Sequence, residues 1–286
     1  MSQPLEGIAI VGPGRAGQAL GTLLAAAGFP IRYVAARRPA AARAAVRFIG
    51  AGRPVPIDSP ELAEARIILI TTSDAAIEPV ARALAALRRS WRGRIVLHTC
   101  GSLPGSGPGS PLARLERLGA STGSFHPFQT VPNAAAGVVS LVGSYWGIDG
   151  RPAAVKVARR WAKALGGVAF AVKPGRKTLY HVSAFLVSPT LVTLLEQSER
   201  LLKLAGVPRK VARPMLARFV AETVKSVAEM GPRRALTGPA ARGDWETLRR
   251  HLEALRRHAP EVIPVYVALA RAMVRLTGKN PPRGLL

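Results

Sequence analysis

The sequence predicts an α/β fold, in which a doubly wound, mostly parallel sheet is followed by an all-helical C-terminal domain. Two observations predict this fold class. Short apolar runs alternate with helical patterns through the first half of the 286 residues, as in consecutive βαβ units. Beyond Lys173-Pro174-Gly175, the chain reads as helix throughout. We therefore expect two domains, covering residues 1–173 and 174–286.

The predicted strands are short runs rich in β-branched residues. Up to residue 125 they are Ile8–Val11, Ile31–Ala36, Val55–Ile57, Ile67–Thr71, Ile95–His98 and Ser121–Phe125. Val138–Gly143 and Val168–Val172 are expected to extend the sheet. The helices predicted between strands are Arg15–Ala27, Ala40–Phe48, Ala75–Arg88, Pro111–Leu118 and Pro152–Leu165.

The C-terminal helices are separated by prolines, which are tolerated at helix starts. They are predicted at Arg176–Ala205, Arg209–Met230, Asp244–His258 and Glu261–Thr277, with a kink in the first of them at Pro189. The uncharged stretch Thr178–Leu195 contains His181, Pro189 and several hydroxyl residues, so we do not expect it to span a membrane. We expect its apolar face to form a homodimer.

A glycine-rich turn follows the first predicted strand. Gly12 allows a tight turn, Gly14 leaves room for a pyrophosphate, and Gly17 lets the next helix pack close to the strand. The helix N-terminus at Arg15 and Ala16 offers N–H groups to phosphates. This context predicts a Rossmann-like dinucleotide-binding domain, and the alternative is a glycine turn in another α/β fold.

Two arginines follow the second predicted strand. A site that prefers NAD usually has Asp or Glu there, whereas this chain has Arg37 and Arg38. Their guanidinium groups would bind the 2′-phosphate of NADPH through charge-assisted hydrogen bonds. We therefore predict NADP(H) as the cofactor. The alternative is that both arginines are solvated like many others in the chain.

The formal net charge is +25, which raises the question of a nucleic-acid partner. The basic residues are spread along helices, and aromatic residues make up only 5% of the chain, so a specific nucleic-acid partner is not expected. The single cysteine, Cys100, excludes an internal disulfide framework. With no secretion signal in the N-terminal sequence we expect a cytoplasmic protein, and we predict no metal site.

Five segments carry a resemblance to a known family. They are GPGRAGQAL at Gly12–Leu20, HTCGSL at His98–Leu103, FHPFQT at Phe125–Thr130, YHVSAFLVS at Tyr180–Ser188 and LTGPAARGD at Leu236–Asp244. Together they resemble the 6-phosphogluconate dehydrogenase-like superfamily. More narrowly, they resemble bacterial oxidoreductases that join a Rossmann-like domain to a conserved helical domain of unknown function. The resemblance implies an NADP-dependent oxidoreductase.

Polar residues follow three of the predicted strands, where ligands of doubly wound sheets bind. Thr72 and Ser73 follow the fourth strand, and the resemblance implies that this loop contacts the cofactor. Asp74 is expected to cap the next helix. His98 is predicted to contact the cofactor and His126 the substrate. The alternative for both histidines is a bond to the backbone that shapes a turn.

The resemblance also places a proton donor near the start of the first long C-terminal helix. Hydride transfer to a C=O or C=N carbon leaves charge on the heteroatom, so an acid must lie nearby. We predict His181 as that acid, with Tyr180 as the second candidate and Lys177 one turn earlier on the same face. The alternative is a buried aromatic–histidine pair at an interface.

The substrate-binding residues depart from the family pattern. Related helices carry an asparagine where this chain has Phe185 and Pro189, so Ser188 is predicted to bind substrate in part. Arg242 is predicted to bind a substrate carboxylate, or else to brace its loop through Asp244. The leading hypothesis is an NADPH-dependent reductase of a small carbonyl or imine, anionic if Arg242 binds it. The alternative is a nucleotide-binding regulatory or scaffold protein with reduced or lost activity.

Overall fold

The computed structural model describes residues 7–286. Its strands are β1 (Ile8–Val11), β2 (Ile31–Ala36), β3 (Arg53–Pro56), β4 (Ile67–Ile70), β5 (Ile95–His98), β6 (Ser121–Pro127), β7 (Tyr145–Gly150) and β8 (Val168–Ala171). Within the described residues they form one sheet in the order β3-β2-β1-β4-β5-β6-β7-β8. Only the β6–β7 pair among these strands is antiparallel. The predicted α/β fold with a mostly parallel sheet is confirmed.

Helices cover both faces of this sheet, so its central strands are apolar at successive positions. Ile8 and Ile10 of β1 pack into one core, whereas Ala9 and Val11 pack into the other. Alternate side chains of a strand point to opposite faces, and a parallel sheet buries both. The helices of this region are α1 (Arg15–Ala26), α2 (Pro39–Ile49), α3 (Asp74–Ala86), α4 (Ala113–Arg117), α5 (Ala134–Ser140) and α6 (Pro152–Ala164).

The prediction of a strand at Val138–Gly143 is wrong. The first half of that segment belongs to α5 and the second half is a turn, and the strand is β7 instead. The side chain of Asn133 accepts a hydrogen bond from the Ala136 N–H at 2.8 Å, which caps α5. Three alanines follow this cap, and their helix propensity outweighs the β-branched pair that suggested a strand. The other predicted strands are present, with ends that differ by a few residues.

The predicted long helix after residue 175 is interrupted at Ser188. It forms α7 (Lys177–Val187) and α8 (Pro189–Leu204), because Pro189 has no N–H to continue the hydrogen-bond ladder. The predicted kink is therefore a break. Lys177–Leu204 as a whole is long and apolar enough to span a membrane by length and composition, with a mean hydropathy of 1.5 over its most apolar window. The absence of a membrane span stays a prediction.

The chain divides into two compact units, Met1–Leu186 and Val187–Leu286. This division differs from the predicted boundary after residue 173, because most of α7 belongs with the sheet. The second unit contains α8, α9 (Arg209–Met230), α10 (Pro232–Ala235), α11 (Pro239–Arg242), α12 (Trp245–His258) and α13 (Ile263–Thr277). Asp244 caps α12, since its carboxylate accepts from the Thr247 N–H at 3.1 Å.

Candidate active site

The glycine turn after β1 is held by the end of β4. Gly12 has φ +79°, a conformation that glycine adopts without strain, and its carbonyl accepts a hydrogen bond from Thr71 Oγ1 at 2.7 Å. A Cβ at Gly12 would lie 2.2 Å from Thr72 Cγ2, and one at Gly17 would lie 2.2 Å from Thr71 Oγ1. Both glycines are therefore required for the close packing of β1, α1 and β4.

Beside this turn there is open space for a ligand, and the protein offers hydrogen-bonding groups to it. A Cβ at Gly14 would meet no described atom within 4 Å, and no side chain caps the N-terminus of α1 that follows it. Among the described residues, Thr72 Oγ1 is buried without a hydrogen-bond partner. Open space, uncapped N–H groups and an orphaned hydroxyl fit the pyrophosphate of a dinucleotide.

Four further residues predicted to bind the cofactor are exposed: Arg15, Arg37, Arg38 and Ser73. Arg37 and Arg38 are exposed at the end of β2, with side chains that face solvent. Arg15 is also exposed and donates to the Pro132 carbonyl at 3.2 Å. Ser73 is exposed and precedes α3. Asp74, predicted as the cap of that helix, is instead its first residue.

His98 is fully buried at the end of β5, and both of its ring nitrogens contact the backbone. Nδ1 accepts from the Cys100 N–H at 3.2 Å, and Nε2 lies 3.2 Å from the Pro104 carbonyl. Burial lowers the pKa of His98 to about 4, so the ring is neutral and Nε2 carries the proton that Pro104 accepts. These bonds match the alternative in which this histidine shapes a turn.

Two pairs of opposed residues on the antiparallel strands β6 and β7 face α7. Ser124 lies opposite Asp149, and His126 lies opposite Gly147. Phe125, between Ser124 and His126, points to the other face and stacks on Trp146 within the core, at 4.2 Å between ring centroids. Ser124 and His126 therefore share a face, as alternate residues of a strand must.

The first of these positions receives Lys177. Its side chain is only 3% exposed, and Nζ donates to Ser124 Oγ at 2.8 Å and lies 3.2 Å from Asp149 Oδ1. Ser124 Oγ in turn donates to Asp149 Oδ1, and the Gly105 N–H donates to Asp149 Oδ2 at 2.8 Å. Burial lowers the pKa of Lys177, and the Asp149 carboxylate opposes that effect.

The second position receives Tyr180, one turn along α7. Its Oη lies 2.7 Å from His126 Nδ1, and it also accepts a hydrogen bond from the Gly147 backbone. A Cβ at Gly147 would lie 2.5 Å from that Oη, so only glycine permits the contact. Burial raises the pKa of Tyr180 well above its usual range and lowers that of His126 to about 3. A hydrogen bond therefore joins a neutral phenol to a neutral imidazole.

His181 completes the cluster from the next position of α7. Its ring meets His126 edge to face at 5.9 Å between centroids. Gly101, after β5, allows both rings to approach, because a Cβ there would lie 2.6 Å from His126 Nε2 and 2.8 Å from His181 Cδ2. Among the described residues, neither ring nitrogen of His181 has a hydrogen-bond partner, and the ring is half-buried. The ring nitrogens of His181 are therefore available to a ligand.

The structure thus brings together four of the predicted site residues: His126, Lys177, Tyr180 and His181. Ser188 and Arg242 lie in the second unit, and their roles stay predictions. Sequence reasoning missed Asp149, whose Asp-Gly sequence reads as a turn. It also missed Ser124, although the two-residue spacing from His126 could have indicated a shared face.

Comparisons with known proteins agree with this architecture. Residues 1–127 match the family described as a Rossmann-like domain. Residues 144–273 match the domain of unknown function DUF2520. The chain belongs to the proteins that combine these two domains. This confirms the predicted resemblance, and the residues matched to DUF2520 include β7, α7 and most of the helical unit. No curated protein sequence is similar enough to count as a relative of this Rossmann–DUF2520 protein.

Solved structures show the same fold over nearly the whole chain. A protein from Bacteroides fragilis provisionally named an NADP oxidoreductase is 22% identical with a TM-score of 0.74, and the match covers 94% of this chain and 98% of that one. An imine reductase from Pseudomonas sp. is 17% identical with a TM-score of 0.67, covering 94% and 93%. The Plasmodium falciparum pyrroline carboxylate reductase, solved with NADP bound, is 12% identical with a TM-score of 0.59, covering 95% and 98%. At these identities the likeness shows the fold alone.

Proposed function

We propose that this protein is an NADPH-dependent reductase that transfers a hydride to a small carbonyl or imine. One observation carries the proposal. A glycine turn suited to a dinucleotide follows β1, and His126 and His181 of the proton-bearing cluster lie against Gly101, which follows β5. Both therefore lie at the carboxyl ends of the parallel strands, where ligands of such sheets bind. The NADP oxidoreductase and imine reductase names among the similar structures support it.

The residues around β1, β2 and β4 would hold the cofactor. The N–H groups at the start of α1 and the orphaned Thr72 hydroxyl suit the pyrophosphate. Arg37 and Arg38 suit the 2′-phosphate that distinguishes NADPH from NADH. When bound, the nicotinamide supplies the hydride.

His181 is the proton donor in this proposal. The Lys177 ammonium contacts Asp149 and Ser124, and the Tyr180 phenol is hydrogen-bonded to His126. His181 has no such partner among the described residues, so its imidazolium can give a proton to the substrate heteroatom as the hydride arrives. Ser188 and Arg242 stay predictions for substrate binding, the latter favouring an anionic substrate.

A fluorescence titration with NADPH and NADH tests the cofactor. We expect saturable binding that prefers NADPH, and a double variant, Arg37→Ala with Arg38→Ala, that weakens NADPH about 10-fold or more while changing NADH little. The control is Arg82→Ala with Arg89→Ala, which removes the same charge from two other exposed residues. No saturable binding of either nucleotide would contradict the proposal.

Equal weakening of NADPH binding by both double variants would mean that Arg37 and Arg38 contribute only general positive charge. Tight NADPH binding combined with no consumption of NADPH across carbonyl and imine substrates would favour the regulatory or scaffold alternative. The observation behind that alternative is the substitution of Phe185 and Pro189 for a family asparagine, and Pro189 does break the helix.

We further propose that the protein is a homodimer through the apolar surface of α7 and its neighbours. Leu179, Leu186 and Val192 each expose more than half of their surface on the stretch Thr178–Leu195. That stretch has no charged side chain, whereas the whole chain carries +25, so it is a surface on which two copies can meet without opposing cations. The cytoplasmic location and the lack of a specific nucleic-acid partner stay predictions.

A further inference from the structure

The loop between β5 and α4 is rich in glycine, but hydrogen bonds fix it in place. Residues 99–112 contain four glycines, and a chain of that composition has high conformational freedom. Near its start, two backbone groups of the loop are bonded to the buried ring of His98. Further along, the Gly105 N–H donates to Asp149 Oδ2 at 2.8 Å. Gly101, which leaves room for the two site histidines, lies within the segment that these bonds enclose.

The same carboxylate also holds α7. Asp149 Oδ1 lies 3.2 Å from Lys177 Nζ and accepts from the hydroxyl of Ser124 on β6. Lys177 is buried and donates to Ser124 Oγ at 2.8 Å as well. Hydrogen bonds in which both groups are ionised are among the stronger ones in proteins. One side chain of β7 therefore links the loop, through Oδ2, to the helix, through Oδ1.

The two linked elements meet at the proton-bearing cluster. A Cβ at Gly101 of the loop would lie 2.8 Å from Cδ2 of His181, so this ring packs against the loop backbone. The same ring meets that of His126 at 5.9 Å between centroids. Lys177 and His181 are four residues apart on α7, which places them on one face of the helix. Holding Lys177 therefore limits how far His181 can move relative to the loop.

We propose that Asp149 is a positioning residue, which links the loop after β5 to α7 and thereby holds the His181 ring between Gly101 and His126. This role rests on the proposed function only in treating His181 as the proton donor. The link itself exists in the protein without cofactor or substrate. It predicts that cutting the link changes the surroundings of the His181 ring and leaves the glycine turn after β1 unchanged.

A second link in the same loop provides a matched control. Glu116 accepts from the Gly107 N–H at 3.1 Å and from Arg151 Nε at 2.6 Å. The side chains of Glu116 and Asp149 are equally buried, at 13% exposed. Arg151 directly precedes α6, so this second link holds a different helix from the one that carries His181.

The test variant combines Asp149→Asn with Lys177→Met, which cuts the link to α7 without leaving one buried charge unpaired. The control combines Glu116→Gln with Arg151→Met. Each double variant removes one carboxylate and one cation, so the net charge of the protein stays the same. If the test variant does not fold, Asp149→Glu takes its place, because an added methylene displaces the carboxylate from the groups that it joins. Its control is then Glu116→Asp.

Nuclear magnetic resonance of labelled histidine rings, without cofactor or substrate, reports on the surroundings of His181. The chain has five histidines, and a His181→Gln variant assigns its signals. Spectra are recorded at about pH 8.5, where ordinary histidines are uncharged. The ring current of His126 and the packing against Gly101 set the chemical shift of the Cδ2 proton, whereas His258 is exposed. In the test variant this signal should shift toward that of His258, and in the control it should keep its wild-type position.

Kinetics adds a second measurement. With NADPH and an active carbonyl or imine, turnover should fall about 10-fold in the test variant, since a displaced donor is poorly aligned, while the Kd for NADPH stays unchanged. The control should keep wild-type turnover. An unmoved His181 signal in the test variant, the same shift in both double variants, or a shifted signal with wild-type turnover would each overturn the inference. Absence of NADPH binding in the wild type would contradict the proposed function and leave the resonance measurement unaffected.

Discussion

Gly101→Ala should impair the proposed catalysis while leaving most of the folding free energy intact. The added Cβ would lie 2.6 Å from His126 Nε2, and ordinary contact begins at 3.4 Å, so the ring must move by about 0.8 Å. The His181 ring, at 2.8 Å from the same Cβ, must move as well. Both are side-chain ends, so the cost in stability should be only about 1 kcal/mol. Displacement of reacting groups by roughly 1 Å can cost about 100-fold in rate.

Gly105→Ala in the same loop is the matched control. Its Cβ would lie 2.3 Å from the Ser124 backbone nitrogen, and a strand in the middle of a sheet cannot move aside. We expect that variant to lose about 3 kcal/mol of unfolding free energy. The assay combines urea unfolding with NADPH consumption, using the carbonyl or imine most active with wild type. A folded Gly101→Ala protein with wild-type turnover would refute the placement of the two histidines at the reacting centre.

Two further predictions concern the proton donor and the interface. His181→Ala should lower turnover about 100-fold or more with NADPH affinity nearly unchanged, as measured by steady-state kinetics beside nucleotide titration, and unaltered turnover would remove His181 from the mechanism. Leu186→Glu should shift the protein from dimer to monomer in analytical ultracentrifugation, because a carboxylate would be buried in the interface, whereas Val139→Glu, an exposed position on α5, should not. A monomeric wild type would contradict the dimer.

The parts of the fold that could be predicted are those with a local signal. The glycine turn, its flanking strand and helix, and the proline-separated C-terminal helices each have a pattern within a few residues. The strand predicted at Val138–Gly143 failed because a cap at Asn133, outside the apolar run, decides its conformation. A pattern of apolar residues carries no information about that hydrogen bond, so it cannot show that the segment begins as a capped helix and not as a strand.

The candidate site was predictable on α7 but not on the sheet. Lys177, Tyr180 and His181 stand out because they are polar residues at helical spacing in an apolar segment. Asp149 could not be found in this way, because its role depends on the antiparallel register that sets it opposite Ser124. Register between strands far apart in sequence is a property of the folded sheet. For the same reason the need for glycine at Gly147 emerges only from the structure.

The low burial of the long helix α9 bears on the stability of the protein at low concentration. Of its 22 described residues only Ala212 is buried, and none of the described residues of α8 is buried. Helices that bury so little within their own unit gain little free energy from it. If a second copy covers them, association supplies that free energy, and the melting temperature rises with protomer concentration. Dilution would then lower the free energy of unfolding of the second unit.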